Sequence, residues 1–502
     1  MTPVPMLSHD VLVAQAAVAG TLAPAWNRLP ERAVQFGTGA FLRGFLDALL
    51  DDANRRGAFN GRIVTISSTG SGRDAVLNAQ QGLFTLVEQG MVDGTVVRRQ
   101  RVVGSVSRAL SARDEWDAVL GCARDANIAF IFSNTTEAGI ELDLTDSAQP
   151  PRTYPAKLTR FLHERARHTE YSAAAAPVVL PCELLVHNGA RLREMVIALA
   201  THWALEPRFI SWVSDAVPFC NTLVDRIVTG APTAVDRAQL ERDSGYRDDM
   251  ITMCEPYRLF AIAADESVRA RLTFADECDG VHVVQHLTPF VERKLRLLNG
   301  THTIMVNLAL LAGCETVLDA MHNERLSRFV ERALRDELVP TVDDVEAPAF
   351  AAQVLDRFRN PFLQHALRDI AFQGTMKMRV RVIPVLRAFV QRFGQVPHAL
   401  TLGLAAQMEL AGGSWRGAQA AVAAAVPTDS HADALHTHWQ ACASDEAGAA
   451  DFVARVCADV SLWGEDLTAL PGVVAAIAAH LVRLRHDGAA AALDAYLAAE
   501  VV

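Results

Sequence analysis

The stretch Arg32-Ala33-Val34-Gln35-Phe36-Gly37-Thr38-Gly39-Ala40-Phe41-Leu42-Arg43 decides the fold. Residues 32–36 are a mostly apolar run that stops at Gly37, the pattern of a strand buried on both faces of a parallel sheet. A helical period follows over 41–56. Strand, glycine turn and helix in that order open a doubly wound α/β domain. Gly37 and Gly39 stand where the first two glycines of a dinucleotide-binding turn stand. They permit a tight turn and close approach of backbone to a pyrophosphate at a helix N-terminus. The third position is Leu42 rather than glycine. The bare residues therefore fit two readings. One is a cofactor turn formed by Phe36, Gly37, Thr38, Gly39, Ala40 and Phe41; the other is a plain strand-ending turn. Position at the first strand–turn–helix favours the cofactor.

Outward from this stretch the alternation continues. Strand-like runs at 62–66, 128–132 and 178–180 are separated by helical stretches, among them 111–125 and 156–168. From about Pro289 the pattern changes, and helical periods dominate at 290–312, 315–338, 348–358, 361–373, 396–411 and 450–461. A last strand, 281–284, meets Thr288-Pro289, a natural N-cap and first helical residue. The expected architecture is an α/β Rossmann-type N-terminal domain with a mostly parallel sheet over 1–288, then a mainly α-helical C-terminal domain over 289–502.

Composition narrows the function. The 502 residues are half hydrophobic and carry a net charge of −11. That balance lacks the basic footprint of a nucleic-acid binder but leaves an anionic small molecule open as a partner. The eight cysteines are scattered without a C-x-x-C pair, which fits reduced thiols in the cytoplasm better than a disulfide framework or zinc knuckle. The N-terminus lacks a signal-peptide pattern, and the longest apolar stretch, near 304–312, is too short for a bilayer. His282 and His286 lack an accompanying carboxylate motif, so no metal site is expected. The expected state is a monomer or small homo-oligomer.

Five further segments carry chemistry. The second strand ends at Ser67 and runs into Ser68, Thr69 and Arg73 with no acid to hold a ribose, which leaves NAD and NADP both open. Asn134 and Thr135 end the third strand, just ahead of Glu137, where they would line a ligand crevice or form a turn. Asn188-Gly189 follows the fourth strand and reads as a turn, or as an amide donating to a substrate oxygen. The spacing Lys294-x4-Asn299-x2-His302 places Lys294 and His302 within about 80° on a regular helix, with Asn299 adjacent to His302. Such a set can serve a carbonyl–alcohol pair: Lys exchanges the proton while Asn and His polarise the oxygen. With Arg293 and Arg296 it also fits a solvated basic face. Arg359, Lys377, Arg379 and Arg381 belong to a cation-dense region, 356–381, that suits a carboxylate clamp or structural ion pairs.

The segments QFGTGAFLRGF (35–45), FSNTTEAGI (132–140), YPAKLTR (154–160), PCELLVHNG (181–189), FCNTLVDRIVTG (219–230), ERKLRLLNGTHT (292–303) and RFRNP (357–361) span most of the chain. In them the sequence resembles the long-chain mannitol dehydrogenase family, and within it the branch acting on tagaturonate. The resemblance implies that Lys294 is the general acid/base, that Asn188, Asn299 and His302 hold the reacting oxygen, and that Gly37 and Gly39 carry the pyrophosphate. It implies that Glu137 and Asp225 line the active-site region and that Lys377 lies near the substrate. A Rossmann domain, a helical domain, a cleft between them and no metal are implied too. The implied activity is NADH-dependent reduction of tagaturonate to altronate. Fructuronate or a polyol such as mannitol is the alternative substrate, and a non-catalytic nucleotide sensor is the alternative of another class. The acid that selects NAD in the polyol branch is absent, and Ala48 follows Asp47 where relatives usually carry Trp.

Overall fold

A computed structural model describes residues 4–14, 22, 25–68, 72–135, 140–411, 428–441 and 446–499. The chain forms two compact units, one comprising 1–89 with 97–287 and the other 90–96 with 288–502.

The first unit is built on strands β1 (Glu31–Phe36), β2 (Arg62–Ser67), β3 (Phe84–Val92), β4 (Thr95–Val103), β5 (Val106–Ser111), β6 (Phe130–Ser133), β7 (Val178–Pro181), β8 (Thr222–Asp225), β9 (Val228–Gly230), β10 (Thr252–Cys254), β11 (Leu259–Ala263) and β12 (Val281–Val284). The main sheet has the order β5-β2-β1-β6-β7, and every pair in it is parallel. β1 lies between β2 and β6, with Phe36 opposite Ile66 on one side and Ser133 on the other. Chain order reverses across β1, so its carboxyl end is the switch point where open α/β sheets bind ligands.

The alternation of β1 builds both cores. Val34 and Phe36 face one cluster, where the Phe36 ring meets Tyr154 at 5.2 Å and Phe161 at 6.1 Å. Ala33 faces the other, which holds Phe45, Phe130, Phe132, Phe260 and Phe274. Two smaller sheets, β4-β3-β10-β9 and β12-β11-β8, include antiparallel pairs. Of their strands the sequence pattern showed 281–284, which is β12. β8, β9 and β10 are three or four residues long, too short for a period to register.

Helix α1 (40–55) follows the glycine turn and contains a π segment, Arg43–Asp47. In the second unit, α2 (288–311) contains a longer π segment, Lys294–Gly300. Around α2 lie α3 (Ala347–Phe358), α4 (Gly374–Arg381) and α5 (His398–Ala411). The helical period expected over 361–373 is realised only at Leu367–Ala371. Asn360 Oδ1 accepts the Phe362 N–H at 3.0 Å, a local turn that competes with helix. A polar chain ties the functional helices together: Asn307 of α2 donates to Gln407 of α5 at 2.7 Å, and Gln407 donates to Thr375 of α4 at 3.3 Å.

α5 crosses α2 at Gly403, where a Cβ would stand 2.7 Å from Ile304 Cβ and 3.0 Å from its Cα. Gly403→Ala is therefore expected to destabilise the chain by about 1–3 kcal/mol, as overpacking does. The check is the urea midpoint. Gly39→Ala, with no atom within 4 Å of the new Cβ, is the control expected to leave that midpoint in place.

Candidate functional site

The glycine turn is closed on its inner side and open on its outer side. Gly37 has φ +127°, a backbone that favours glycine. A Cβ there would stand 2.9 Å from Leu42 Cδ1 and 3.2 Å from the Asn134 carbonyl oxygen. The ladder runs one residue past β1 on each side: Gly37 N–H donates to Ile66 at 2.9 Å, and Asn134 N–H donates to Phe36 at 3.3 Å. Gly39 precedes α1 in an extended conformation, with open space where a Cβ would be. A pyrophosphate approaching the first turn of α1 fits this cradle.

Asn134 and Thr135 are anchored toward the exit of β7. Asn134 Nδ2 donates to the Cys182 carbonyl at 2.7 Å. The Glu183 carboxylate accepts from Thr135 N–H at 2.9 Å and from Ser133 Oγ at 3.1 Å. Burial raises the Glu183 pKa, and these bonds oppose the rise. Glu183 was not singled out in the sequence; its signal is an acid directly after an apolar strand. Ser67 is buried at the end of β2, and Arg73 opens the next helix exposed to solvent. Glu137 lies outside the described residues.

Asn188 is 1 % exposed and bonded on every side. Its Nδ2 donates to the carbonyls of Pro181 and Glu183, each at 3.1 Å, and to Thr222 Oγ1 at 3.0 Å. Its Oδ1 accepts from the N–H groups of Gly189 and Thr222, both at 2.9 Å. An amide so engaged fastens the exit of β7 to the start of β8, so in this geometry the side chain holds backbone rather than a ligand. Asp225 ends β8 and is buried opposite Leu259.

In the second unit, Lys294 and Asn299 both lie in the π segment of α2, and His302 follows two residues beyond its end. This changes the expected geometry. A π turn absorbs one residue without advancing the helix. Lys294 and His302 then behave as if seven apart, within about 20° of each other, and Lys294 and Asn299 as if four apart, within about 40°. A regular helix would put Lys294 and Asn299 about 140° apart.

The His302 ring stacks on Phe358 at 4.1 Å and meets the His365 ring edge-on at 5.4 Å. Its Nε2 is buried and meets no hydrogen-bond partner among the described residues. Burial, then the charges of His365, Arg357, Arg381 and Lys377, hold its pKa well below the ordinary value. The imidazole is thus neutral. Arg381 donates to Thr303 Oγ1 at 3.4 Å and Lys377 to the Ile370 carbonyl at 2.8 Å. Burial lowers the pKa of both, and Arg381 adds to the effect on Lys377. Arg359 is drawn elsewhere: its guanidinium pairs with Glu331 and donates to Ser327 Oγ at 3.4 Å. Arg379 is exposed and reaches the Ser461 carbonyl at 3.4 Å. Of the four cations singled out in the sequence, Lys377 and Arg381 act on His302. Arg357 and His365 join them.

Among the described residues, no three His, Cys, Asp or Glu side chains gather as a metal ion would need. Nor is any described helix long and apolar enough to cross a membrane.

The neutral His302 has a consequence for stability. An unfolded His takes up a proton near pH 6.5, while the folded one resists it. The associated stability is fully present above pH 6.5 and is lost as pH falls below it. Between pH 7 and pH 5 the wild type should therefore lose more unfolding free energy than His302→Gln. Urea titrations at the two pH values provide the check.

Comparison with known proteins bears on the family and the fold. The sequence profile of the mannitol dehydrogenase Rossmann domain matches residues 31–275, and that of the mannitol dehydrogenase C-terminal domain matches residues 286–485. An altronate oxidoreductase of Yersinia pestis is 39% identical over 474 residues, covering 93% of this chain and 97% of the relative. One from Bacillus subtilis (strain 168) is 35% identical over 476 residues, covering 94% and 96%. Among solved structures, a D-sorbitol dehydrogenase in substrate-free form superposes with TM-score 0.75 at 20% identity, covering 97% of this chain and all of that one. Mannitol 2-dehydrogenase of Pseudomonas fluorescens, solved with NAD and D-mannitol, superposes with TM-score 0.64 at 22% identity, covering 98% and 99%. These two likenesses concern the fold. On the matched domains and the near-full-length relatives, the chain belongs to the mannitol dehydrogenase family.

Proposed function

We propose that this chain is an NADH-dependent oxidoreductase that reduces D-tagaturonate to D-altronate, reversibly, in the cytoplasm. The observation that carries the substrate class is the buried His302, whose Nε2 meets no partner among the described residues, under the positive charges of Arg357, Arg381 and Lys377. That many cationic groups around one uncharged ring suit an anionic substrate, and a keto-sugar acid supplies both the ketone and the carboxylate. The altronate oxidoreductase relatives support the choice of sugar acid. The buried, unbridged cysteines of both units support a reducing compartment.

Residues 36–41 would hold a dinucleotide, which would supply the hydride when bound. Lys294 gives its proton to the ketone oxygen as the carbon is reduced, and takes it back in the reverse direction. Asn299 and His302 hold that oxygen. The neutral imidazole is a suitable partner because it adds a hydrogen bond without a competing charge. Lys377 and Arg381 receive the carboxylate. Asn188 keeps the β7 exit in place, and Asp225 and Glu137 are assigned to the substrate region on family resemblance.

Rates with tagaturonate, fructuronate and fructose, each with NADH and NADPH, test the assignment. Tagaturonate with NADH should be fastest; a preference for fructuronate or fructose reassigns the substrate, and no turnover with any of them overturns the enzyme reading. Lys294→Ala should lower kcat by about 10²–10⁴ while the NADH Kd stays unchanged. Arg381→Met should raise the KM for tagaturonate by about tenfold or more, the loss of a charged hydrogen bond, and leave that for fructose unaffected.

A further inference from the structure

The carbonyls of the glycine turn are held from inside the protein. Gln35, fully buried on β1, donates its Nε2–H to the Gly37 carbonyl at 3.1 Å. Arg43, buried in the first turns of α1, donates NH1 to the Thr38 carbonyl at 2.6 Å and Nε to Thr252 Oγ1 at 3.0 Å. Thr252 is fixed in turn, since its hydroxyl donates to the Met250 carbonyl at 2.9 Å. Asp47, fully buried four residues further along the helix, lies near the Arg43 charge, and burial pushes its carboxyl up to about 7 against the pull of that charge. A buried guanidinium gives up its hydration, and this one directs its donors to a turn carbonyl and to Thr252.

A trans peptide points its C=O and the following N–H in opposite directions. Holding the Gly37 carbonyl inward turns the Thr38 N–H outward, and holding the Thr38 carbonyl inward does the same for the Gly39 N–H. Among the described residues, neither N–H meets an acceptor, and the space beside Gly39 is open. We propose that Gln35 and Arg43 are positioning residues of the cofactor turn, which present the Thr38 and Gly39 N–H groups as a preformed pair of donors to the dinucleotide pyrophosphate. This rests on the dinucleotide reading above and adds two residues that do not themselves touch the cofactor.

The test is equilibrium binding of NADH, ADP-ribose and adenosine to the full chain, with kcat and KM measured alongside. Gln35→Met and Arg43→Met should each raise the Kd for NADH and ADP-ribose by about tenfold or more, the range of a lost buried hydrogen bond. The Kd for adenosine, which has no pyrophosphate, should not move. At saturating NADH, kcat should stay within twofold of the wild type. Arg43→Lys should recover part of the affinity. Unchanged NADH affinity in a folded variant overturns the proposal. So does an equal loss for adenosine, which marks general damage to the domain. Gln35→Met changes no charge, so it decides alone if Arg43→Met does not fold. A wild type that binds neither NADH nor NADPH overturns the dinucleotide reading itself, whereas variants that bind as well as a competent wild type overturn only the positioning role.

Discussion

The pairing of β1 with parallel strands on both sides is the constraint from which the first unit is built. The ladder continues past Phe36 through the Gly37 and Asn134 N–H groups, so the glycine turn leaves the sheet from a backbone already fixed. β1 must bury both faces, which explains its side chains. Val34 and Phe36 fill one core and Ala33 the other. Gln35 shares the Ala33 face, and its amide reaches the turn. A polar residue fully buried in a central strand costs stability unless it is hydrogen-bonded, and here the bond falls on the carbonyl that shapes the ligand-facing edge.

Electrostatics organise the second unit differently. Arg359 has Glu331 and Arg293 has Asp344 at 3.0 Å, ordinary structural pairs. Lys377 and Arg381 instead make neutral contacts, to a carbonyl and a hydroxyl, and their positive potential falls on His302. Burial weakens the charged state of each, as their lowered pKa values record. An anion brought among them gains twice: it offsets the repulsion and finds donors in place. A neutral polyol gains only hydrogen bonds. Arrangement of charge, rather than net charge, separates the acid from the alcohol; the chain as a whole is acidic.

Much of this was legible in the sequence. The first strand, its glycine turn, the parallel alternation and the helix opening at Thr288-Pro289 follow from local pattern and turn chemistry, which act over a few residues. What stayed hidden depends on partners distant in sequence. Arg359 looks like any other cation of the 356–381 region until Glu331 is seen beside it. Asn188 looks like a free amide until Pro181, Glu183 and Thr222 close around it. Arg43 reads as a helix residue, because Thr252 lies over two hundred positions away. The expected helical angle between Lys294 and His302 assumed a regular helix; no composition rule announces a π turn.

The two π segments show what such irregularity costs and how the cost is offset. Widening a helical turn loosens carbonyls from their regular donors, and each helix supplies replacements. In α1 the Gly44 carbonyl accepts from Arg226 at 2.7 Å, and a Cβ at Gly44 would stand 2.8 Å from Val228, so only glycine lets β9 come this close. In α2 the hydroxyl of Thr301 donates to the Leu297 carbonyl and that of Thr303 to the Asn299 carbonyl, the latter at 2.6 Å. These threonines back-bond their own helix and so bond two carbonyls of the turn that carries Lys294 and Asn299. Thr303 also accepts from Arg381, which links the wide turn to the cation beside His302. Of the threonines that make the irregular helix tolerable, Thr303 is thus bonded to Arg381, and regularising the turn would disturb both the Lys294–Asn299 alignment and the seat of that cation.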